Sequence, residues 1–428
     1  MEGKLGRMIP KVPKGWRRVP LGEVADIAFS GVDKKTVEGE VPVRLCNYTD
    51  VFYNRRILSV FDFMQASATT AEVERWQLRK GDVLFTKDSE TASEIGIPSY
   101  VAEEMSDILC GYHLGRARGQ PGQVDGLFLA YAFASNRVAR EFSRVANGIT
   151  RFGLTLGSVR SVPVFLPPLP EQRAIAAVLN SIDEVIERTE VLIAATERLR
   201  ESLRHELLTR GIPGWHSEYK EVPRFGSIPA AWEVVRLGDV AGVNQGGTPR
   251  KRATEYWDGD IPFVTAADLT EIDINRKNAR TFLTKRGLYS GETVVCETGM
   301  LLLATRTRVG LAGIAEERMG ASQDITRLLP HEPLNERFLC RFLFQNAGFL
   351  QRQARGTTIQ GITKSDVLST PLLLPTLAEQ RTIARLLDSV DNTVDQLRRE
   401  RDAIAEVKKS VAEVLLTGRV RVGEGISA

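Results

Sequence analysis

Residues that could carry covalent chemistry are sparse in this chain of 428 residues. The run Cys110-Gly111-Tyr112-His113 sets a thiol close to an imidazole. Nucleophilic catalysis uses such a pair only when a third group orients the base and backbone N–H groups face the developing oxyanion. No such helpers stand at readable spacing. The four histidines, His113, His205, His216 and His331, form neither a ligand pattern nor a triad, and His205 falls on the surface of a predicted helix. The four cysteines, Cys46, Cys110, Cys296 and Cys340, lie far apart, which argues against a disulfide scaffold or a zinc site. A GxxxxGK[ST] phosphate loop is absent, and Gly246-Gly247 and Gly153 to Gly157 lack the strand–GxGxxG–helix setting of a cofactor fold. With no catalytic residues and no metal site, the chain is expected to recognise rather than to react.

Recognition points to polar and basic loops. Lys and Arg total 57 against 54 Asp and Glu, a net charge of +3 that does not by itself indicate nucleic acid. Local clusters carry more information: Lys34-Lys35, Arg44, Arg55-Arg56, Arg250-Lys251-Arg252, Arg276-Lys277 and Lys285-Arg286. Taken one at a time, each reads first as solvated surface charge.

The elements that must hold these loops are organised around a stretch from Glu171 to Arg210 with no Gly or Pro. Apolar residues recur every three or four positions at Ile175, Val178/Leu179, Ile182, Val185/Ile186, Leu192/Ile193, Leu199, Leu203 and Leu207. That spacing predicts a long helix with a narrow coiled-coil seam, roughly 60 Å from end to end. Pro170 suits its first turn and Gly211 its end. Pro375 to Arg419 repeats the pattern, with Glu379-Gln380-Arg381 under Glu171-Gln172-Arg173, Asp391 under Asp183, and Arg401 interrupting the seam. The repeat extends upstream: Gly148 to Pro167 has the frame of Gly356 to Pro375, and Trp16 to Ala25 that of Trp232 to Ala241. Each half is therefore a globular unit followed by a long helix. The ends of the units repeat and their middles diverge.

Within the units, Val41 to Leu45, Gly81 to Thr86 and Met300 to Thr305 read as strands, and Gly126 to Val145 and Asn335 to Ala354 as helices. Residues 1–15 read as an extended lead-in without the apolar core of a signal peptide. The segment after Gly211, with Pro213, Pro223 and Pro229, reads as a linker of limited flexibility. No run approaches ~20 apolar residues, so no membrane span is expected. At 43% hydrophobic and 26% charged residues the chain is a packed protein, expected in the cytoplasm.

Leu166-Pro167-Pro168-Leu169-Pro170-Glu171-Gln172-Arg173 and its partner Leu374-Pro375-Thr376-Leu377-Ala378-Glu379-Gln380-Arg381, each opening a long helix, resemble the specificity subunit of type I restriction–modification systems. Gly246-Gly247-Thr248-Pro249 with Glu255-Tyr256-Trp257 is similar to the opening of target recognition domains in that family. The first unit departs there, with Phe29-Ser30-Gly31-Val32-Asp33-Lys34-Lys35. The resemblance implies an α/β fold: two globular target recognition domains (1–168 and 212–375, the latter with its linker) alternating with long helices (169–211 and 376–428, with the tail). The helices would pair as an antiparallel coiled coil in an internal pseudo-twofold repeat. It implies double-stranded DNA as one partner and two adenine-N6 methyltransferase subunits, with restriction subunits beyond them, as the others. S-adenosylmethionine, ATP and Mg would then belong to those partners, and no cofactor to this chain.

On that reading the DNA-binding candidates of the first domain are Lys34, Lys35, Arg44, Asn47, Tyr48, Arg55, Lys87 and Arg151. Those of the second are Gln245, Thr248, Arg250, Lys251, Arg252, Arg306, Arg308 and Gln360. Glu171, Gln172, Glu379 and Gln380 are candidates for partner docking, a helix N-terminal role being the alternative for all four. The competing function is a coiled-coil scaffold whose globular units bind proteins; an enzyme active on its own comes third.

Overall fold

A computed structural model describes residues 12–331, 333–357 and 360–422. The predicted lead-in thus lies largely outside the described residues. The chain forms two compact units: residues 1–190 with 399–428, and residues 191–398. Each contains one globular α/β domain and parts of both long helices.

In the first unit a five-stranded sheet runs in the order Ala25–Phe29, Leu114–Gly119, Asp82–Thr86, Pro98–Val101, Arg56–Ile57. The central strand is apolar at consecutive positions because both of its faces are covered. Val83 and Phe85 point into a core with Phe128, Phe133, Phe142, Ile175 and Leu179. Leu84, between them, enters a second core with Val43, Leu45, Ile108 and Leu109. The two-residue period of a strand thus divides helices on one face from a small sheet, Met64–Ala68, Val41–Cys46 and Ile108–Cys110, on the other. Arg17–Pro20 pairs antiparallel with Pro163–Leu166, so the start of the domain is bonded to the strand that feeds the first long helix.

The second unit repeats this design. Its five-stranded sheet has the order Ala241–Gln245, Ile325–Pro330, Leu301–Ala304, Ala312–Ala315, Asp273–Ile274, and Glu233–Arg236 pairs with Pro371–Leu374. Leu301 and Leu303 face the helical side, whereas Leu302 and Ala304 face the other. The small sheet differs, with four strands built on Trp257–Val264.

Three expectations change. The helix over Gly126 to Val145 is two helices, Gly126–Ala134 and Asn136–Val145, because Ser135 is extended (φ −66°, ψ 143°) and its hydroxyl caps the second by accepting from Val138 N–H. The predicted helix over Asn335 to Ala354 likewise divides at Asn346. The expected linker after Gly211 is a packed hairpin, Tyr219–Val222 with Gly226–Pro229, that buries Ile228 in the core of the second unit.

The long helices are Leu169–Thr209 and Leu377–Leu416. Within the first unit, Ile175 and Leu179 share a core with Leu415, and Asp183 pairs with Lys408 at 2.5 Å. Within the second, Glu197 pairs with Arg398 at 2.5 Å, and Leu207 joins the core that holds Ile383 and Leu387. Rising numbers meet falling ones, so both segments pack antiparallel. Leu179, Ile186, Ile193 and Leu207 are buried at seven-residue multiples, as are Leu387, Val394 and Leu415. Arg200, Arg401 and Lys408 occupy the skipped positions of the same register.

All four cysteines are free and buried. Burial pushes the thiols of Cys110, Cys296 and Cys340 up to about 12, and that of Cys46 well above its ordinary value. Native protein at pH 8 is therefore expected to leave a disulfide-exchange reagent such as DTNB unreacted over minutes, with all four thiols titrating once guanidinium unfolds the chain. Rapid reaction of any thiol in the native state would contradict this packing.

Candidate functional site

In the second unit the strand ends build one polar rim. Gly246 N–H donates to the Ile325 carbonyl at 2.8 Å and Gly247 N–H to that of Ala321 at 3.1 Å. A Cβ at Gly246 would stand 2.2 Å from the Ser322 carbonyl oxygen, and one at Gly247 2.2 Å from that of Glu292. Only glycine lets the chain pass so close, and the passage aims the loop of Thr248 to Arg252 outward. Arg250 is exposed, tied to Glu292 at 2.6 Å, while half-buried Thr248 backs the loop. Lys251 and Arg252 are exposed, with no carboxylate partner among the described residues.

The second part of this rim follows Leu301–Ala304. Thr307 takes a positive φ of 62° and its N–H donates to the Gln360 carbonyl at 3.0 Å. The exposed Arg306, Arg308 and Gln360 are thereby brought together, beside the strand end carrying Gln245. The loop bearing Gln360 is closed by reciprocal backbone bonds between Arg355 and Gly361, both 2.9 Å.

The first unit builds the same rim from different side chains. Asn147 and Gly153 exchange backbone bonds of 2.9 and 2.8 Å, and the loop they close presents exposed Arg151. Leu154 N–H donates to the Lys87 carbonyl at 2.9 Å, fixing that loop against the end of Asp82–Thr86. Lys87 Nζ lies 4.5 Å from the ring centre of Tyr112, a half-exposed aromatic that the sequence reading passed over as a candidate. Lys34 and Lys35 are exposed, Lys35 pairing with Asp33 at 2.9 Å, and half-buried Tyr48 stacks on Phe52.

Other candidates do structural work. Arg44 is bidentate to Asp107, at 2.7 and 3.0 Å. Asn47 is buried at the start of the helix Tyr48–Tyr53, where its N–H donates to Asp50 at 2.7 Å. Arg55 reaches Asp183 of the first long helix at 2.8 Å. The thiol of Cys110 is fully buried, and its high pKa leaves it without thiolate character. His113 instead pairs with Asp88 at 2.9 Å. Among the described residues no cluster of three or more His, Cys, Asp or Glu could hold a metal ion, and no helix is long and apolar enough to cross a membrane.

The four residues expected to dock a partner are not on an exposed face. Glu171, Gln172, Glu379 and Gln380 are 8, 0, 2 and 0% exposed. Each glutamate closes a junction. Glu171 accepts from the Trp16 indole N–H at 3.1 Å and from Arg421, just beyond the second long helix, at 2.6 and 2.7 Å. Glu379 accepts from Trp232 at 2.9 Å, contacts His216 at 2.7 Å, and takes the Ile212 N–H at 3.3 Å. Gln172 bonds Asp125 N–H and the carbonyls of Gln123 and Pro167; Gln380 bonds Asn335 N–H and those of Pro333 and Pro375. The polar character that suggested a surface belongs to a satisfied buried lock.

The first long helix also exposes apolar residues at a heptad spacing. Val185, Leu192 and Leu199, seven residues apart, are 45, 51 and 53% exposed. All three belong to the predicted seam, but they form a second stripe offset from the buried register of Leu179, Ile186 and Ile193.

Comparison with known proteins gives a consistent result. The family described as type I restriction modification DNA specificity domain matches residues 13–198 and again 229–406. A provisionally named type I restriction enzyme MjaX specificity subunit from Methanocaldococcus jannaschii is 22% identical over 423 residues, 97% of this chain and 96% of that one. Among solved structures, a chain from work on complex assembly and conformational transition of the type I R-M system aligns over 96% of this chain and all of its own. Its TM-score is 0.60 at 22% identity. The type I restriction-modification S subunit from M. genitalium aligns over 94% and 96%, with TM-score 0.56 and 13% identity. At those identities the structural likeness speaks for the fold.

Glu379→Ala would strand the buried Trp232 indole and Ile212 N–H, each orphaned donor costing about 1–3 kcal/mol. Urea unfolding is expected to show a loss of about 2–5 kcal/mol, with less in Glu379→Gln, which keeps an acceptor. An alanine variant as stable as the parent would show that this lock does not hold the junction.

Proposed function

The chain belongs to the type I restriction–modification DNA specificity family, and from that we propose that its two domains read the two halves of one interrupted, asymmetric DNA site. Its family role is that of a non-catalytic DNA specificity subunit in a type I restriction–modification system. We assign reading to residues 1–168 and 212–375, and spacing and docking to 169–211 and 376–428. The observation that carries the reading is one rim architecture built twice with unlike side chains on it. In the second domain Arg250, Lys251, Arg252, Arg306 and Arg308 supply phosphate contacts, and Gln245, Thr248 and Gln360 reach base edges. In the first, Lys34, Lys35, Lys87 and Arg151 grip the backbone beside Tyr48 and Tyr112. Arg44, Asn47 and Arg55 drop out of the reading set, since their bonds are made within the fold.

The long helices act as the spacer, their stiffness fixing a separation that a flexible tether would blur. Two adenine-N6 methyltransferase subunits dock on the helices, and the exposed stripe of Val185, Leu192 and Leu199 is the face we assign to them. S-adenosylmethionine belongs to those subunits, and ATP with Mg to the restriction subunits beyond them. We favour this reading over the scaffold alternative because both rims carry exposed cations without carboxylate partners among the described residues, which suit phosphate contacts.

Binding through phosphates releases counterions, so affinity falls by roughly one log unit per log unit of salt for each contact. In the assembled complex, Arg306→Ala with Arg308→Ala is expected to weaken DNA binding and flatten that slope by about 1–2. An unchanged slope removes both residues from the interface. Seven residues inserted after Thr196 together with seven after Arg398 keep the heptad register and add about 10 Å to the helices. Mapping N6-methyladenine in cells is expected to show the same two half-sequences about three base pairs further apart. Methylation at the original spacing would refute the spacer role.

A further inference from the structure

The first unit contains an open cavity of about 410 Å³ where its globular domain meets the long helices. That volume lies in the range of small-molecule sites. One wall is apolar, formed by Tyr100, Leu127, Ala130, Ala412 and Leu416. Arg55, Arg56, Lys408 and Lys409 also line it, against only two carboxylates, Asp183 and Glu413. Asp183 is already engaged by Arg55 at 2.8 Å, Lys408 at 2.5 Å and the Tyr131 hydroxyl at 2.8 Å.

The internal repeat supplies a control. Asp125 and Asn335 each start the equivalent helix and donate N–H to Gln172 and Gln380, so Leu127 corresponds to Arg337 and Tyr131 to Arg341. On the long helices Asn180 corresponds to Asp388, Asp183 to Asp391 and Lys408 to Arg200; on the edge strands Arg56 corresponds to Asp273. In the second unit these positions form a neutralised plug. Arg337 bonds Asp273 at 2.8 Å and Asp388 at 2.7 Å; Arg341 bonds Asp391 at 2.7 Å and also Asp388; Arg200 lies 3.6 Å from Asp391.

The first unit undoes that plug at four positions. Leu127 removes an arginine and opens space, Tyr131 replaces a second arginine with a neutral hydroxyl, Asn180 removes a carboxylate, and Arg56 puts a cation where Asp273 stands. Arg56 is left with the Asn180 amide oxygen, the Tyr131 hydroxyl and, at 3.8 Å, the half-exposed Glu187. Lys409 has no carboxylate partner among the described residues. Burial holds the Lys408 ammonium below its ordinary pKa, opposed by its bond to Asp183. An excess of cations against an apolar wall is relieved by an anion that also brings apolar surface.

We propose that this cavity is a binding site for a small organic anion: a phosphate or carboxylate head held by Arg56 and Lys409, on a compact apolar body packed against Tyr100, Leu127 and Ala412. Such a ligand would bridge the globular domain and the helices of the first unit, and its binding does not depend on the DNA reading.

Calorimetry on the full chain tests this with phenyl phosphate and 4-ethylbenzoate as probes. Inorganic phosphate supplies a head without a body, and benzyl alcohol a body without a head. Saturable 1:1 binding is expected for the first two with Kd of about 0.1–1 mM, and at least ~10-fold weaker for the last two. Arg56→Gln is expected to weaken phenyl phosphate about 10-fold, and Ala412→Trp, which fills the space, to abolish it. The proposal is overturned if neither amphipathic anion binds below ~10 mM, as it would be for a cavity that serves only a partner polypeptide. It is equally overturned if inorganic phosphate binds as well as phenyl phosphate, or if both folded variants bind like the parent.

Discussion

In each unit one buried carboxylate joins the globular domain to both long helices. Glu171 and Glu379 sit at the first turns of the long helices, almost wholly removed from water, a placement tolerated only when donors surround the charge. The donors come from distant parts of the chain: a tryptophan at the start of the globular domain, and residues just past the end of the opposite helix. The neighbouring glutamines bond a helix cap in the globular domain. One turn of helix therefore fixes where the domain begins, where the helix departs and where the other helix ends. A shift in any of these would leave a charge without partners, which is why the junction has one geometry.

With the junctions set, the rims are free to differ. Both are hung on the same backbone devices: a strand end bonded to the loop before it, and a projecting loop closed by two reciprocal hydrogen bonds. None of those bonds uses a side chain that faces outward. The first rim can carry Lys87 beside Tyr112 while the second carries Arg306, Arg308 and Gln360, at no cost to the scaffold.

The helices show a similar division. Their buried seam follows a seven-residue repeat, interrupted where Lys408 meets Asp183 and Arg200 nears Asp391. Ion pairs at such seam positions specify register more than they add stability. Val185, Leu192 and Leu199 are exposed beside that buried seam.

The residues by themselves determined the duplication, the two long helices and their caps, the apolar central strands and the absence of a catalytic constellation. All of these are periodic or local signals, readable because helix and strand repeat their contacts along the chain. The exposed position of loop cations such as Arg250 and Arg306 follows from the same local signals, since they stand next to strand ends. Only the tertiary structure decided which polar residues face inward. Glu171, Gln172, Glu379 and Gln380 look like surface residues in one dimension, and Arg44, Asn47 and Arg55 look like contacts. Most of the partners that fix them, Trp16, Trp232, Asp107 and Asp183 among them, lie tens of residues away or more. Burial of a polar group depends on whether distant donors converge on it, and composition and spacing do not encode that convergence.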